Sequence, residues 1–225
     1  MLFIILLEPF PITSDLWFVQ RIAMRQRPQL NQRIFLSFSI INKTFALSDP
    51  TLQQQTLNWW YETLVQATPQ SGIWHTLSQD DQHWLLNQFF PDYENCLNHL
   101  FNPSPSPSDD WLLHLEKLFV AILSGNTLAS NAHCAFAQTW LLVKCRRDGI
   151  KPAAISSALP QPPYLQLSTQ LHQAARESFR GQPPLLTYTG LLHLWLRFNQ
   201  TATATSFTEP GVLAKWWRVL RWCRF

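Results

Sequence analysis

Helical periodicity dominates this chain, and proline rather than glycine punctuates it. Apolar residues recur at the three- and four-residue spacing that lines one face of an α-helix. Only six glycines occur, and no strand–turn–strand pattern is built on Asn-Gly or Asp-Gly, which argues against a sheet protein. The breaks divide the chain into helices near 14–26, 28–46, 50–67, 78–90, 91–101, 110–124, 129–148, 164–180, 184–199 and 210–224. Ser14 or Asp15 is the expected N-cap of the first, and Pro28 is tolerated in the first turn of the second. Ser48-Asp49-Pro50 caps the third, and "SQDD" puts acids at the start of the fourth, where the helix dipole favours them. Pro91 is expected to end that helix and restart the chain as a short one. "NPSPSPSDD" at 102–110 reads as a linker, because alternating prolines cannot propagate a helix. Gly125 and Gly149 are expected stops. The expectation is all-α: a single helical domain over 1–225, a bundle of eight to ten helices without an internal repeat.

Composition narrows the function classes. At 46% hydrophobic the chain can bury a core, yet only 14% of its residues are charged. Eleven tryptophans invite two readings, helix packing or contact with a membrane or partner. A net charge of +3 is too small to imply nucleic acid. The basic residues cluster, however, at Arg21, Arg25, Arg27 and Arg33 and again at Lys215, Arg218, Arg221 and Arg224. Such mild surface basicity fits anionic lipid or an acidic partner. Cys96, Cys134, Cys145 and Cys223 form no CxxC pair, and His133-Cys134 alone is no metal site. They read as free thiols in a reducing compartment. "MLFIILLEPFP" lacks a basic n-region and a cleavage site, so no signal peptide is expected. No run approaches the ~18 apolar residues of a transmembrane helix. The expected location is cytoplasmic, peripheral to the inner membrane.

Catalytic signatures are sparse. Asp80/Asp81 and Asp109/Asp110 sit where caps belong, and Asp92 and Glu94 do not face one site. GxSxG, HExxH, P-loop and GxGxxG patterns do not occur.

Three stretches carry a resemblance. "RIFLSFSIINKTFALSDPTLQQQTLNWWYETL" holds an arginine-led aromatic helix, an Asp-Pro break and a helix with Trp59, Trp60 and Glu62. "AFAQTWLLVKCRRDG" starts Ala-Gln and ends Arg-Asp, and the order of helices between the two also agrees. From about Asp15 to Ala175 the pattern resembles the squalene/phytoene synthase family, with a weaker echo at the basic C-terminus. The resemblance implies an isoprenoid-synthase fold around an apolar cavity. Active members of that family join prenyl diphosphates, using Mg²⁺ held by two aspartate-rich stretches on facing helices. Here the first motif's metal-binding positions fall at Lys43, Thr44 and Leu47, and the second motif's positions at Leu141, Lys144, Cys145 and Gly149, of which only the basic one survives, as Lys144. None is an acid. Asp148 is close in register but has no acid at i−4 or i+4. Lys43 reads as a surface residue. Glu62 reads as a structural acid holding an arginine or as part of a residual cavity.

The resemblance therefore implies a non-catalytic member of the family with no cofactor or metal. Its aspartate-lacking branch is associated with respiratory complex I assembly, so an assembly factor or scaffold is expected. The partners implied are a respiratory-complex subunit, an isoprenoid or other lipid ligand, and an anionic membrane surface. The alternatives are a prenyl-diphosphate transferase with unrecognised metal motifs and a helical protein-interaction module. Trp59 and Trp60, about 100° apart on a helix, are expected to form a packed seam. The basic segment 211–225 is expected to be an amphipathic helix. Val212, Leu213, Trp216, Trp217, Val219, Leu220 and Cys223 share one arc; Lys215, Arg218 and Arg221 lie opposite, with Arg224 at the border, and Trp222 and Phe225 lie on the basic face, where a folded core would not want them and docking would. Either the apolar arc closes the bundle and the basic face meets water, or the helix docks on a membrane or acidic partner.

Overall fold

A computed structural model describes residues 10–11, 14–47, 49–66, 77–101, 110–125, 134–148, 164–200 and 207–222. Among these residues there are helices and no strands, as the periodicity predicts. The helices are α1 (Asp15–Gln26), α2 (Asn31–Phe45), α3 (Pro50–Val65), α4 (Gln79–Trp84), α5 (Phe90–Phe101), α6 (Asp110–Ser124), α7 (Ala135–Asp148), α8 (Leu165–Glu177), α9 (Pro183–Phe198) and α10 (Val212–Trp222). A 3-10 turn, Pro28–Leu30, leads into α2. The expected linker lies outside the described residues up to Asp110, which opens α6.

Local chemistry explains most boundaries. The Ser14 hydroxyl accepts from the Trp17 amide at 3.2 Å and starts α1. The Asp49 carboxylate accepts from Thr51 and Leu52 at 2.8 and 3.4 Å and starts α3, while Ser78 accepts from the Asp81 amide at 3.1 Å. Each satisfies amides that a helix start leaves without intrahelical partners. Gly125 ends α6 at φ +77°, where its amide reaches the Ala121 carbonyl and an added Cβ would meet Leu30 at 2.8 Å.

Pro91 does not break the chain. A π-helical stretch, Leu85–Phe89, joins α4 directly to α5. The Phe90 amide bonds back five residues to the Leu85 carbonyl. This widened turn takes up the strain that a proline ring would place on a regular helix, so the helix passes through Pro91.

α9 is the central strut and packs against α1, α6, α7, α8 and α10. α2, α3, α5 and α6 form the other side of the bundle. Aromatic rings join the two sides. Phe119 of α6 meets Phe38, Phe136 and Trp140 at 5.7, 5.6 and 4.8 Å, and Tyr188 of α9 meets Phe38 and Phe136 at 5.5 Å each. A buried ion pair pins α2 to α4: Arg33 Nη2 lies 2.6 Å from Asp81 Oδ1, with the guanidinium 4.3 Å over the Trp84 ring. No helix among the described residues is long and apolar enough to cross a membrane.

Candidate functional site

Two features stand out beyond the packed core. The first is a cleft of about 450 Å³ between the start of α1, α7 and α9, with Asn42 as the α2 residue that reaches it. Its charged lining is internally matched. The Asp148 carboxylate accepts from Arg147 Nε at 2.6 Å and Nη2 at 3.1 Å, and from Lys144 Nζ at 3.2 Å. Burial opposes ionisation of Asp148, but the Arg147 and Lys144 charges outweigh it and hold the carboxyl below its usual range. Burial and the Arg147 charge push the Lys144 ammonium down. Asp15, also on the cleft wall, lies 2.9 Å from Lys215 Nζ and accepts from Trp195 Nε1 at 2.7 Å.

The two sets of motif positions do not meet across this cleft. Lys43 is exposed, in keeping with a surface role, and Leu47 is half-buried just past α2. Thr44 turns toward α5, where its hydroxyl lies 2.6 Å from the Tyr93 hydroxyl. Leu141 and Cys145 are buried, and burial raises the Cys145 thiol to about 11, so it stays protonated. Of the six described positions only Lys144 lines the cleft, and Gly149 lies outside the described residues. Between α2 and α7 the Phe45 and Trp140 rings meet, 5.1 Å apart. Mg²⁺ does not fit the residues at this place. The nearest carboxylate is already shared by two cations, and a divalent ion would meet Lys144 and Arg147 first. Among the described residues no three His, Cys, Asp or Glu side chains converge as a metal cluster.

Trp59, Trp60 and Glu62 also depart from expectation. Trp60 is buried, but Trp59 is 51% exposed, so α3 packs on one side and the expected two-sided seam is half formed. Glu62 is exposed and pairs with no arginine among the described residues.

The second feature is α10. Neither expected orientation of this helix holds in full, because the side that meets the bundle is the one carrying Lys215. That residue is 1% exposed and bridges Asp15 of α1 and Glu209, with its ammonium 5.7 Å from the centre of the Trp195 ring. Its assignment to an outer basic surface is thereby corrected: an ammonium with two carboxylates beside it is stable inside where a lone one is not. Val219 and Trp222, one and two turns on, are buried on the same side. Trp222 fits because Gly190 of α9 faces it; a Cβ there would lie 2.9 Å from the indole.

Most of the apolar arc consequently faces outward, with Val219 as its buried edge. Leu213 is 85% exposed and Trp217 70%, with Trp216 and Leu220 also exposed. Trp216 leans on α1, its ring 5.9 Å from Trp17 and 5.1 Å from Phe18. Arg21, itself exposed, lies 5.2 Å over Trp17, and Arg221 is exposed on α10. Cys223 and Arg224 lie outside the described residues. Outward leucine and tryptophan side chains with arginines beside them form an apolar patch with a cationic border.

The sequence reading missed three pairs behind α10. His172 and Arg176 on α8, His193 and Arg197 on α9, and Arg218 and Trp222 on α10 are each four residues apart, and so share a helix face. The three rings of His172, His193 and Trp222 lie 5.4 to 5.8 Å apart. The i,i+4 spacing was a visible signal; the convergence of three helices was not. No family model matches this chain, nor does any curated protein or solved structure at a significant level.

Proposed function

We propose that this protein is a non-catalytic helical bundle that docks on an anionic membrane surface through the outer face of α10. The observation that carries the reading is the orientation of that helix. Lys215, Val219 and Trp222 hold it to α1 and α9, and Leu213, Trp216, Trp217 and Leu220 are left outside. Indoles suit the headgroup level, and nearby arginines attract anionic lipid. Each basic residue close to such a surface contributes about 1 kcal/mol. The same reading takes the chain as a degenerate relative of the squalene/phytoene synthase family, near a membrane and without its chemistry. The pairing of Asp148 with Arg147 and Lys144 supports that view, because the one acid close in register to the second motif is already held by two cations.

Co-sedimentation with phosphatidylcholine vesicles, with and without phosphatidylglycerol, tests the docking. The full chain is expected to pellet with the anionic vesicles, and a Leu213→Ser/Trp217→Ser variant of unchanged melting to stay in the supernatant. Equal pelleting of the two proteins would overturn the reading. Incubation with farnesyl diphosphate and Mg²⁺ tests the absence of catalysis, and any metal-dependent condensation product would refute it.

A further inference from the structure

Behind the outward face of α10 lies a concentration of positive charge with no ion-paired carboxylate among the described residues. Arg218 is half-buried over the Trp222 ring, its guanidinium carbon 6.0 Å from the ring centre. Arg197 and Arg221 lie close enough to add their charges to it, and burial with these two neighbours pushes its guanidinium down. Arg176 lines a shallow pocket with His172 and Trp222. Among the described residues none of these four arginines forms an ion pair. The contrast with the cleft is direct, since there the acids Asp15 and Asp148 each sit on a cation.

The histidines report the same field from inside. His193 is buried, its Nδ1 has no hydrogen-bond partner, and burial together with Arg218, His172 and Arg197 pushes it down to about 3. His172 is lowered by burial and by Arg176, Arg218 and Arg221. Neither has a carboxylate among its influences. Like charges gathered without a counter-charge repel one another, and the arrangement is relieved when an anion binds. Guanidinium is the side chain whose fork matches phosphate oxygens in pairs.

We propose that Arg197, Arg218 and Arg221, backed by Arg176 and His172, form a site for a phosphomonoester lipid headgroup beside the membrane face of α10. The inference rests on the docking reading and adds a headgroup preference to it. The lipid source follows from position. On a helix Arg221 and Arg218 come next around the circumference after Trp217, so a headgroup held there belongs to a lipid whose chains lie beside the exposed indole. A monoester phosphate fits better than a diester. It carries up to two negative charges near neutral pH and presents three oxygens to several guanidinium groups.

The test uses the full chain and vesicles matched for surface charge, containing either phosphatidic acid or phosphatidylglycerol in phosphatidylcholine. Binding is followed by co-sedimentation and tryptophan fluorescence. Phosphatidic acid vesicles are expected to bind about tenfold more tightly, a difference within reach of one or two additional cation contacts. An Arg197→Lys/Arg218→Lys variant keeps the charge but loses the forks. It is expected to lose the preference and retain binding to phosphatidylglycerol vesicles, with its melting checked in parallel. Equal affinity of the native chain for the two vesicles would overturn the headgroup site and leave the docking reading standing. An undiminished preference in the folded double-lysine variant would overturn the assignment to these arginines. Failure to bind either vesicle would overturn both readings.

Discussion

Trp59-Trp60 and Trp216-Trp217 are the same dipeptide on two amphipathic helices, and the bundle treats them differently. On α3, Trp60 enters the core and Trp59 stacks edge-on against it from outside, the rings 5.1 Å apart. On α10 both members stay outside, and a third indole, Trp222, takes the buried place. The difference comes from what lies opposite. α3 packs on α2 and α5, which offer it an apolar wall. α10 packs on α9, which offers a glycine at one level and the ring of Trp195 beside Asp15 at another. Those features select an indole and an ammonium, so the side bearing Trp222 and Lys215 turns inward. An apolar arc is buried only where a complementary surface exists, and on α10 the anchor points lie on the other side.

The largest expected effect is loss of that anchor. Lys215→Ala leaves Asp15 buried beside a single indole N–H, and removing one partner of a buried pair costs roughly 3–5 kcal/mol. Urea denaturation should show the unfolding free energy falling by that amount; an unchanged value would mean that α10 is not held through Lys215. Trp222→Ala and Trp60→Ala should each cost about 3–5 kcal/mol, as for other buried tryptophans. If Trp222→Ala were far milder than Trp60→Ala, the contrast between the two helices would be one of exposure without an anchor.

A smaller loss is expected for Gly190→Ala. The added methyl would press on the Trp222 ring, and overpacking of this kind costs about 1–3 kcal/mol. The response to pH should separate the helices at a similar scale. The His193 imidazole is held at about 3, well below its ordinary value, so the unfolded chain takes up a proton first as pH falls. The stability contributed by keeping it neutral is complete above about pH 6.5. It declines by about 1.4 kcal/mol per unit as pH falls toward about 3. Arg197, Arg218 and His172 bear on His193, and Arg176, Arg218 and Arg221 on His172, all with the same sign. Stability measured between pH 6.5 and 5 should fall in the native chain and fall less in His193→Phe. Equal slopes would show that protonation of His193 does not govern the loss.

The smallest effects belong to the outer members of the two pairs. Trp59→Ala and Trp217→Ala should each change stability by no more than about 0.5 kcal/mol, as exposed substitutions usually do. Only Trp217→Ala should weaken binding to anionic vesicles. An equal loss for Trp59→Ala would extend the docking face to α3 and remove the contrast.

Several parts of the fold are legible in the amino-acid order because their causes are local. Ser14, Asp49 and Ser78 cap helices through amides two or three residues away, and Gly125 ends α6 within its own turn. The proline of "FFPDYE" reads wrongly as a break because its accommodation depends on the preceding π-helical turn, which leaves no distinct mark in the spacing of apolar residues. The candidate site is legible as composition: a basic, indole-rich helix at the end of the described chain. Its orientation is not. The pairing of Lys215 with Asp15 joins the first helix to the last, and the fit of Trp222 over Gly190 needs α9 to arrive at the right height. The sequence by itself determined which stretches are helical and which of their sides are apolar, since propensity and capping act over a few residues. Only the tertiary structure decided which side of α10 is inside, because that choice compares surfaces brought together from distant parts of the chain.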